Sequence, residues 1–550
     1  MTVTLVRLSS VLALCALGAC AGSAAAPAGS GGSSTAGSAG TTGAAGTTGA
    51  AGSAGSTGAA GTAGAAGSTM GAAGTSGTGG TAGTGGASGG RGGTTGIAGT
   101  GGSAGTAGGR GGAAGSAGDG GAAGGRGGTT GTAGTTGAGG CTITATSSVS
   151  TSIATVGIVT FTTNLASVDS AEIRFGLASA GTTMTAPVDL TQPSYRTLLL
   201  GMKGSSSYVF RIVATSAAGT CQSPDYTIMT GAVPSNIPKP TATIMNAAAH
   251  GKGFMVTSSG ISGTGAWIYD SDGAPVWWAT GPSGTSRIEM SWDGTKMYMM
   301  ALNVQNTNAG AVKIVDMDGA NSTMVSGMTT SHHDLTAIPG GFATLLWNQS
   351  GTDAPCSLVE RADSGTMTTV IANMNTVYNS NTWHTNSVHY YPSDNTYTLG
   401  DRNPNMYVKV SRTGELIWQL GGTNPKDAAK FFSGAGTWSV NHGHHMLADG
   451  STFYLFNNGT ALGGSSTVRG FKLNTSTMTA TSSFTYMGSG ANSMVLGDVE
   501  QLPNGNILVT ASTSGQITEV TMGGQVVATF KTNAFGYTEY RDSLYGPPPR

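Results

Sequence analysis

Charge is the scarcest property of this chain. Its 550 residues hold 24 Lys and Arg against 25 Asp and Glu, for a formal net charge of −1. That balance argues against a nucleic-acid partner and against electrostatic attachment to a membrane surface. Long apolar runs are missing too, so no stretch beyond the N-terminal leader is suited to span a bilayer. There is no P-loop and no basic nucleotide site to suggest a nucleotide-borne group donor. Cysteine is rare, at five residues: Cys15, Cys20, Cys141, Cys221 and Cys356. Glycine, by contrast, numbers 94, and it is distributed unevenly.

The first 20 residues read as a secretory signal, with Arg7 ahead of the apolar stretch Val11 to Leu17. The segment Leu17-Gly18-Ala19-Cys20 matches a bacterial lipoprotein cleavage box, with Cys20 receiving the lipid. An ordinary signal peptide cut near Ala24 to Ala26 is the competing reading. The expected location is therefore the bacterial cell envelope, with membrane contact only through an N-terminal lipid anchor. Residues 21–140 are nearly all Gly, Ala, Ser and Thr. Such a segment buries too little apolar surface to offset its chain entropy, and it reads as a disordered tether. Cys141 and Cys221 bracket the next region and are expected to form a disulfide in an oxidising compartment. Cys356 reads as a small buried hydrophobe.

Residues 141–232 alternate apolar and polar side chains. One strand is expected around Ile153, Val156, Ile158, Val159 and Phe161, another over Ala171 to Gly176 and a third over Tyr208 to Ala214. Short strands at this spacing indicate a small β-sandwich. The run from Leu200 to Gly219 resembles the late strands of a fibronectin type III domain. Pro234, Pro238 and Pro240 then mark a linker.

Beyond the linker the chain repeats two kinds of hairpin. One kind carries turns such as Asp270-Ser271-Asp272-Gly273, Asp316-Met317-Asp318-Gly319 and Ser411-Arg412-Thr413-Gly414, which recur every 46 to 61 residues. The other kind carries Asp293-Gly294, Pro339-Gly340, Asp449-Gly450 and Asn504-Gly505. Two hairpins make a four-stranded sheet, and a repeat of this length is a propeller blade. The expected fold is all-β: a six-bladed β-propeller over 241–545, preceded by the sandwich and the tether. Its innermost strands would bring residues from different blades to one axis.

All eight histidines lie in the propeller region. Seven fall into three motifs, His332-His333-Asp334, His384 with His389, and His442-Gly443-His444-His445, each just before or on a hairpin of the second kind. Equivalent places in three blades converge. A metal site is one reading of such a cluster. Arg402 counts against it, because a guanidinium repels a metal and its planar fork of donors suits a sulfate or phosphate group.

Trp383-His384-Thr385-Asn386-Ser387-Val388, followed by Asp401-Arg402 and by Thr413-Gly414-Glu415-Leu416-Ile417-Trp418-Gln419-Leu420-Gly421-Gly422, resembles the signature of the bacterial arylsulfate sulfotransferases. Ser331-His332-His333-Asp334, Asn441-His442 to Gly450 with Leu455-Phe456-Asn457-Asn458-Gly459, and Gly497 to Leu508 are similar to further motifs of that family. The resemblance implies transfer of a sulfuryl group from an aryl sulfate donor to a phenol acceptor, without a cofactor or metal. It implies that His442 is the nucleophile, that His333, His384 and Arg402 act with it, and that Asn386, His332 and His444 line the substrate pocket. It leaves a homodimer open. Two departures are visible, since the family has Gln where Asn441 stands and Asp where Gly443 stands. His444 and His445 are further candidates for the nucleophile. On a regular strand His444 shares a face with His442 and His445 points away. The alternative reading is a non-enzymatic cell-surface propeller that binds a glycan or a protein.

Overall fold

The computed structural model describes residues 140–304, 307–349, 354–459, 465–488 and 491–548. The signal with Cys20 and the tether expected over 21–140 lie outside the described residues, save Gly140. The described residues form strands joined by turns and short 3-10 segments, with no α-helix among them.

The N-terminal part has two sheets. One joins Ile143–Val149, Gly157–Thr163 and Thr197–Leu199. The other joins Met184–Pro187, Ser170–Leu177, Ser207–Ser216 and Gly219–Gln222, with Tyr226–Met229 also paired to Ser207–Ser216. Strict burial alternation along Ser207–Ser216 turns Tyr208, Phe210, Ile212 and Ala214 inward, as a period-2 pattern requires. Cys141 and Cys221 are bonded. The strand expected from Ile153 begins only at Gly157. Residues before it form a loop that docks on the second part. Ile153 and Val156 enter the apolar cluster around Trp267 and Trp277, and the Ser150 hydroxyl donates to the Asp318 carbonyl at 2.5 Å.

The described residues between 241 and 541 form six sheets, antiparallel except for one short added strand. Sheet II runs Thr285–Met290, Lys296–Ala301, Val312–Asp316 and Ser322–Met324. Sheet III runs Ser331–Ile338, Gly341–Trp347, Cys356–Ala362 and Met367–Ile371. Sheet IV runs Thr385–Tyr391, Thr396–Asp401, Met406–Ser411 and Leu416–Gly421, with Phe431–Phe432 added in parallel at its edge. Sheet V runs Asn441–Met446, Thr452–Asn457, Thr467–Asn474 and Thr479–Met487. Sheet VI runs Asp498–Gln501, Ile507–Ala511, Gln516–Val520 and Val526–Lys531, then pairs with Thr241–Ile244 from the start of this region.

Sheet I is assembled from both ends of the region. The late strand Thr538–Arg541 pairs with Phe254–Ser258, which is followed by Gly265–Asp270 and Pro275–Thr280. The first strands of sheets II to VI pack in succession, and Thr538–Arg541 contacts those of sheets VI and II. Ser331–Ile338, Thr285–Met290 and Asn441–Met446 are buried at every position although they carry His, Asp, Arg and Glu. Polar side chains on wholly buried strands must find partners, so these strands mark where the chemistry lies.

Candidate active site

The first strands of sheets II, III, IV and V each lose register near their starts. The irregularities fall between Thr285 and Arg287, Ser331 and Leu335, Thr385 and Ser387, and Asn441 and His444. A bulge inserts a residue and re-aims the side chains beside it. In sheets III, IV and V the bulges fall on or beside the histidine motifs. Strain accompanies them: His333, Val440 and Leu496 have φ of 61°, 57° and 55°. Positive φ is uncommon away from glycine and an outlier for a β-branched residue such as Val440, and it persists only where the surroundings enforce it.

His442 is held by Asn458, whose Oδ1 lies 2.7 Å from His442 Nδ1. The Asn458 amide nitrogen donates to the Ser493 and Leu496 carbonyls at 2.9 and 2.7 Å. Those two bonds orient the amide so that its oxygen faces the imidazole. His442 Nδ1 therefore carries the proton, and the lone pair is on Nε2. Two of the strained residues serve this arrangement, because Leu496 supplies one carbonyl and the Val440 carbonyl accepts from Asn458 N at 3.2 Å.

His332, His333 and His384 form a chain. His332 Nδ1 is 2.9 Å from His333 Nδ1, and His333 Nε2 is 3.2 Å from His384 Nε2. His332 stacks on Trp347 with ring centres 4.0 Å apart. The His333 and His442 ring centres are 6.3 Å apart, so the middle of the chain lies beside His442. The backbone N–H of His384 donates to both Asp401 carboxylate oxygens at 2.9 and 3.1 Å, and the Arg402 N–H donates to the His384 carbonyl at 3.3 Å. Asp401 thus fixes the loop that carries His384, next to the residue that carries the guanidinium.

Burial sets the protonation states. It pushes His332 down to about 3, and burial with the nearby Arg402 charge pushes His442 down to about 3. His333 is held well below its ordinary value by burial, by its neighbouring imidazoles and by Arg402. These rings are neutral at pH 7, so His442 presents an unprotonated nitrogen. Arg402 is buried and lines a cavity of about 440 Å³ that opens beside sheet IV. Burial raises the Asp401 carboxyl to about 6.

The structure therefore brings His332, His333, His384, Arg402 and His442 together. Two residues expected to line the pocket make structural contacts. Asn386 Nδ2 donates to the Asn441 carbonyl at 2.8 Å and so braces the strand that carries His442. His444 contacts Ser387 and Thr398 through its two ring nitrogens at 3.0 and 2.8 Å and stacks on Phe453. The bulge between Asn441 and His444 breaks the alternation that put His444 on the face of His442. His445 Nδ1 accepts the Gln501 N–H at 2.8 Å.

Sequence reasoning gave no role to the buried ion cluster beneath this centre. Arg287 Nε donates to Asp334 Oδ1 at 2.6 Å and Nη1 donates to Asp498 Oδ2 at 3.0 Å, with Arg287 lying 4.4 Å over the Tyr537 ring. Asp334 also accepts the Val388 N–H at 3.0 Å and Asp498 the Thr538 N–H at 3.2 Å. The cluster ties the first strands of sheets II, III, IV and VI to the closing strand. Asp498 explains Gly443 as well. A Cβ at 443 would lie 2.0 Å from Asp498 Oδ1, so the position facing that carboxylate must be glycine. Asp334 and Asp498 each stand within a motif quoted above, but only the fold pairs them with Arg287.

Residues 356–533 match the arylsulfotransferase (ASST) family model, which shows the family resemblance on this region. The match takes in His384, Arg402 and His442 and begins after His333. No curated protein matches the chain significantly. Among solved structures, a Bacteroides fragilis protein with the provisional description 6-phosphogluconolactonase aligns at 15% identity and TM-score 0.37, over 54% of this chain and 99% of that one. TolB from Acinetobacter baumannii aligns at 11% identity and TM-score 0.34, over 62% and 79%, and a streptogramin B lyase at 13% and 0.33, over 53% and 87%. At these scores the likenesses carry no argument.

Proposed function

We propose that this arylsulfotransferase-like chain moves a sulfuryl group from an aryl sulfate to a phenol through a sulfo-histidine at His442, without a nucleotide donor. The observation that carries the reading is a neutral imidazole with its Nδ1 proton fixed by Asn458, beside a buried guanidinium and a chain of imidazoles.

His442 Nε2 attacks sulfur, the S–O bond to the aryl group breaks, and the aryl oxygen leaves as a phenolate, its charge met by Arg402 and by a hydrogen bond from the neutral His333–His384 pair, and takes its proton from solvent. In the second half the acceptor phenol loses its proton to solvent, and its oxygen attacks sulfur as the S–N bond breaks and His442 returns to its neutral state. Arg402 stabilises the charge on the sulfuryl oxygens. His332, stacked on Trp347, sits at the far end of the imidazole chain. Asn386 and Asp401 are positioning residues.

The six sheets are read as six blades of one propeller, supported by their number and by the closing strand Thr538–Arg541. The N-terminal part is read as a fibronectin type III-like sandwich. The Cys141–Cys221 bond fits an exported lipoprotein of the cell envelope.

The test is turnover of a chromogenic aryl sulfate at neutral pH, with and without a phenol acceptor. His442→Ala is expected to abolish it, and Arg402→Ala to slow it roughly 100- to 1,000-fold, the usual loss for one charge-stabilising donor. Unchanged turnover in His442→Ala would overturn the reading.

A further inference from the structure

The cavity beside Arg402 has an unusual lining for an aryl substrate. Asn381, Asn403, Asn405, Gln419 and Asn424 face it, and Arg402 is its only charged residue. No aromatic side chain lines it. Aromatic ligands are ordinarily held by apolar and aromatic walls with few polar groups. Here carboxamides predominate, groups that pair with hydroxyls as donor or acceptor; Asn405 is already engaged, its oxygen accepting the Val440 N–H at 2.6 Å and its nitrogen donating to the Asn403 carbonyl at 3.4 Å.

Gln419 adds an independent observation. It is 1% exposed, its Nε2 donates to the Gly421 carbonyl at 3.0 Å, and its buried Oε1 accepts no hydrogen bond among the described residues. A buried carbonyl without a donor is a standing cost that a ligand hydroxyl or a water relieves. The backbone around it is tightly specified. Gly421 has φ of 80° and would place a Cβ 2.3 Å from the Trp438 ring, so this wall tolerates no side chain there.

We propose that this cavity holds the polyhydroxylated ring of a glycoside, so that the preferred acceptor is a phenol bearing a sugar. The vicinal hydroxyls of the sugar pair with Gln419 and with Asn381 and Asn424 at the rim, while the phenolic hydroxyl reaches the centre at His442. This rests on the sulfotransfer reading and adds the substrate class. The chemical step is unchanged: the S–N bond breaks, the phenolic O–S bond forms, and the phenolic proton passes to solvent.

The experiment compares two acceptors of similar phenol acidity, hydroquinone monoglucoside and 4-methoxyphenol, with one aryl sulfate donor. The glucoside is expected to be preferred in kcat/KM by roughly tenfold or more, the discrimination a site gains by pairing otherwise unpaired polar groups. That ratio is expected to fall toward one in Gln419→Leu and, at the exposed rim, in Asn424→Ala. Equal use of both acceptors by the wild-type protein overturns the cavity assignment and leaves sulfotransfer standing. Absence of turnover with either acceptor defeats sulfotransfer, and the assignment is then read by binding alone. Saturation-transfer NMR of the glucoside without donor is expected to show contact at its sugar protons, reduced in Asn424→Ala, and absence of that contact overturns the assignment.

Discussion

His442 draws its proposed reactivity from Asn458, 2.7 Å away, more than from its own place in the sequence. The Asn458 amide is fixed by two carbonyls, so it holds the proton on Nδ1 and leaves Nε2 for sulfur. Asn458→Leu removes that constraint. The expected outcome is a roughly 10- to 100-fold lower kcat, the usual loss when the group orienting a functional imidazole is deleted, with KM for the donor little changed. A variant that instead raises KM at full kcat would assign Asn458 to the shape of the pocket. The three histidine motifs were legible because imidazoles recurring at one place in a repeat are hard to explain otherwise. Asn458 stood in the quoted Asn457-Asn458-Gly459 motif, yet nothing in the sequence distinguishes the asparagine that bonds an imidazole from one that closes a turn. Gln419 was equally silent, since its importance lies in a partner it lacks.

The same limit operates on whole strands. The period-2 rule grouped His444 with His442, and it fails because each histidine motif sits on or beside a bulge. One inserted residue changes which side chains face the centre, and a sequence pattern carries no mark of it. The hairpin repeats were legible, since their Asp-Gly and Asn-Gly turns demand positive φ: Gly273, Gly294, Gly319 and Gly450 all adopt it. Gly443 is a different case, required by its neighbour. Gly443→Ala pushes a methyl against the Asp498 carboxylate, which is pinned by Arg287 and cannot withdraw. The expected cost is about 1–3 kcal/mol, typical of overpacking, measured as a lower denaturation midpoint. A variant of wild-type stability would show that the first strands of sheets V and VI are more loosely packed than described.

At the scale of the molecule, the two ends of the sheet region are stitched together. Thr538–Arg541 completes sheet I, and Thr241–Ile244 extends sheet VI. The sequence hinted at an incomplete first blade around Gly253 to Val256 but not at what completes it, because strand pairing across nearly 300 residues leaves no local signature. Burying neutral imidazoles along the centre makes stability depend on pH. The unfolded chain protonates its histidines near pH 6.5, whereas His332 and His442 are held down to about 3 and His333 also well below its ordinary value. Their contribution is full above the unfolded value and is lost as pH falls toward the folded one. Asp401 and Asp498, raised to about 6 by burial, act the other way and favour the fold as pH falls through 6. Three imidazoles displaced over a wider range outweigh two carboxyls, so the melting temperature is expected to fall between pH 7 and pH 4.5. A rise over that interval would mean that the imidazoles are charged in the folded protein.

The most direct test of the central claim uses the aryl sulfate donor alone. The protein is incubated with donor in the absence of acceptor, digested under mild conditions, and the sulfated residue is located by mass spectrometry. The account predicts one sulfuryl group on His442, discharged when a phenol is added. A label on His444 or His445, or steady turnover with no label on any histidine, would contradict it.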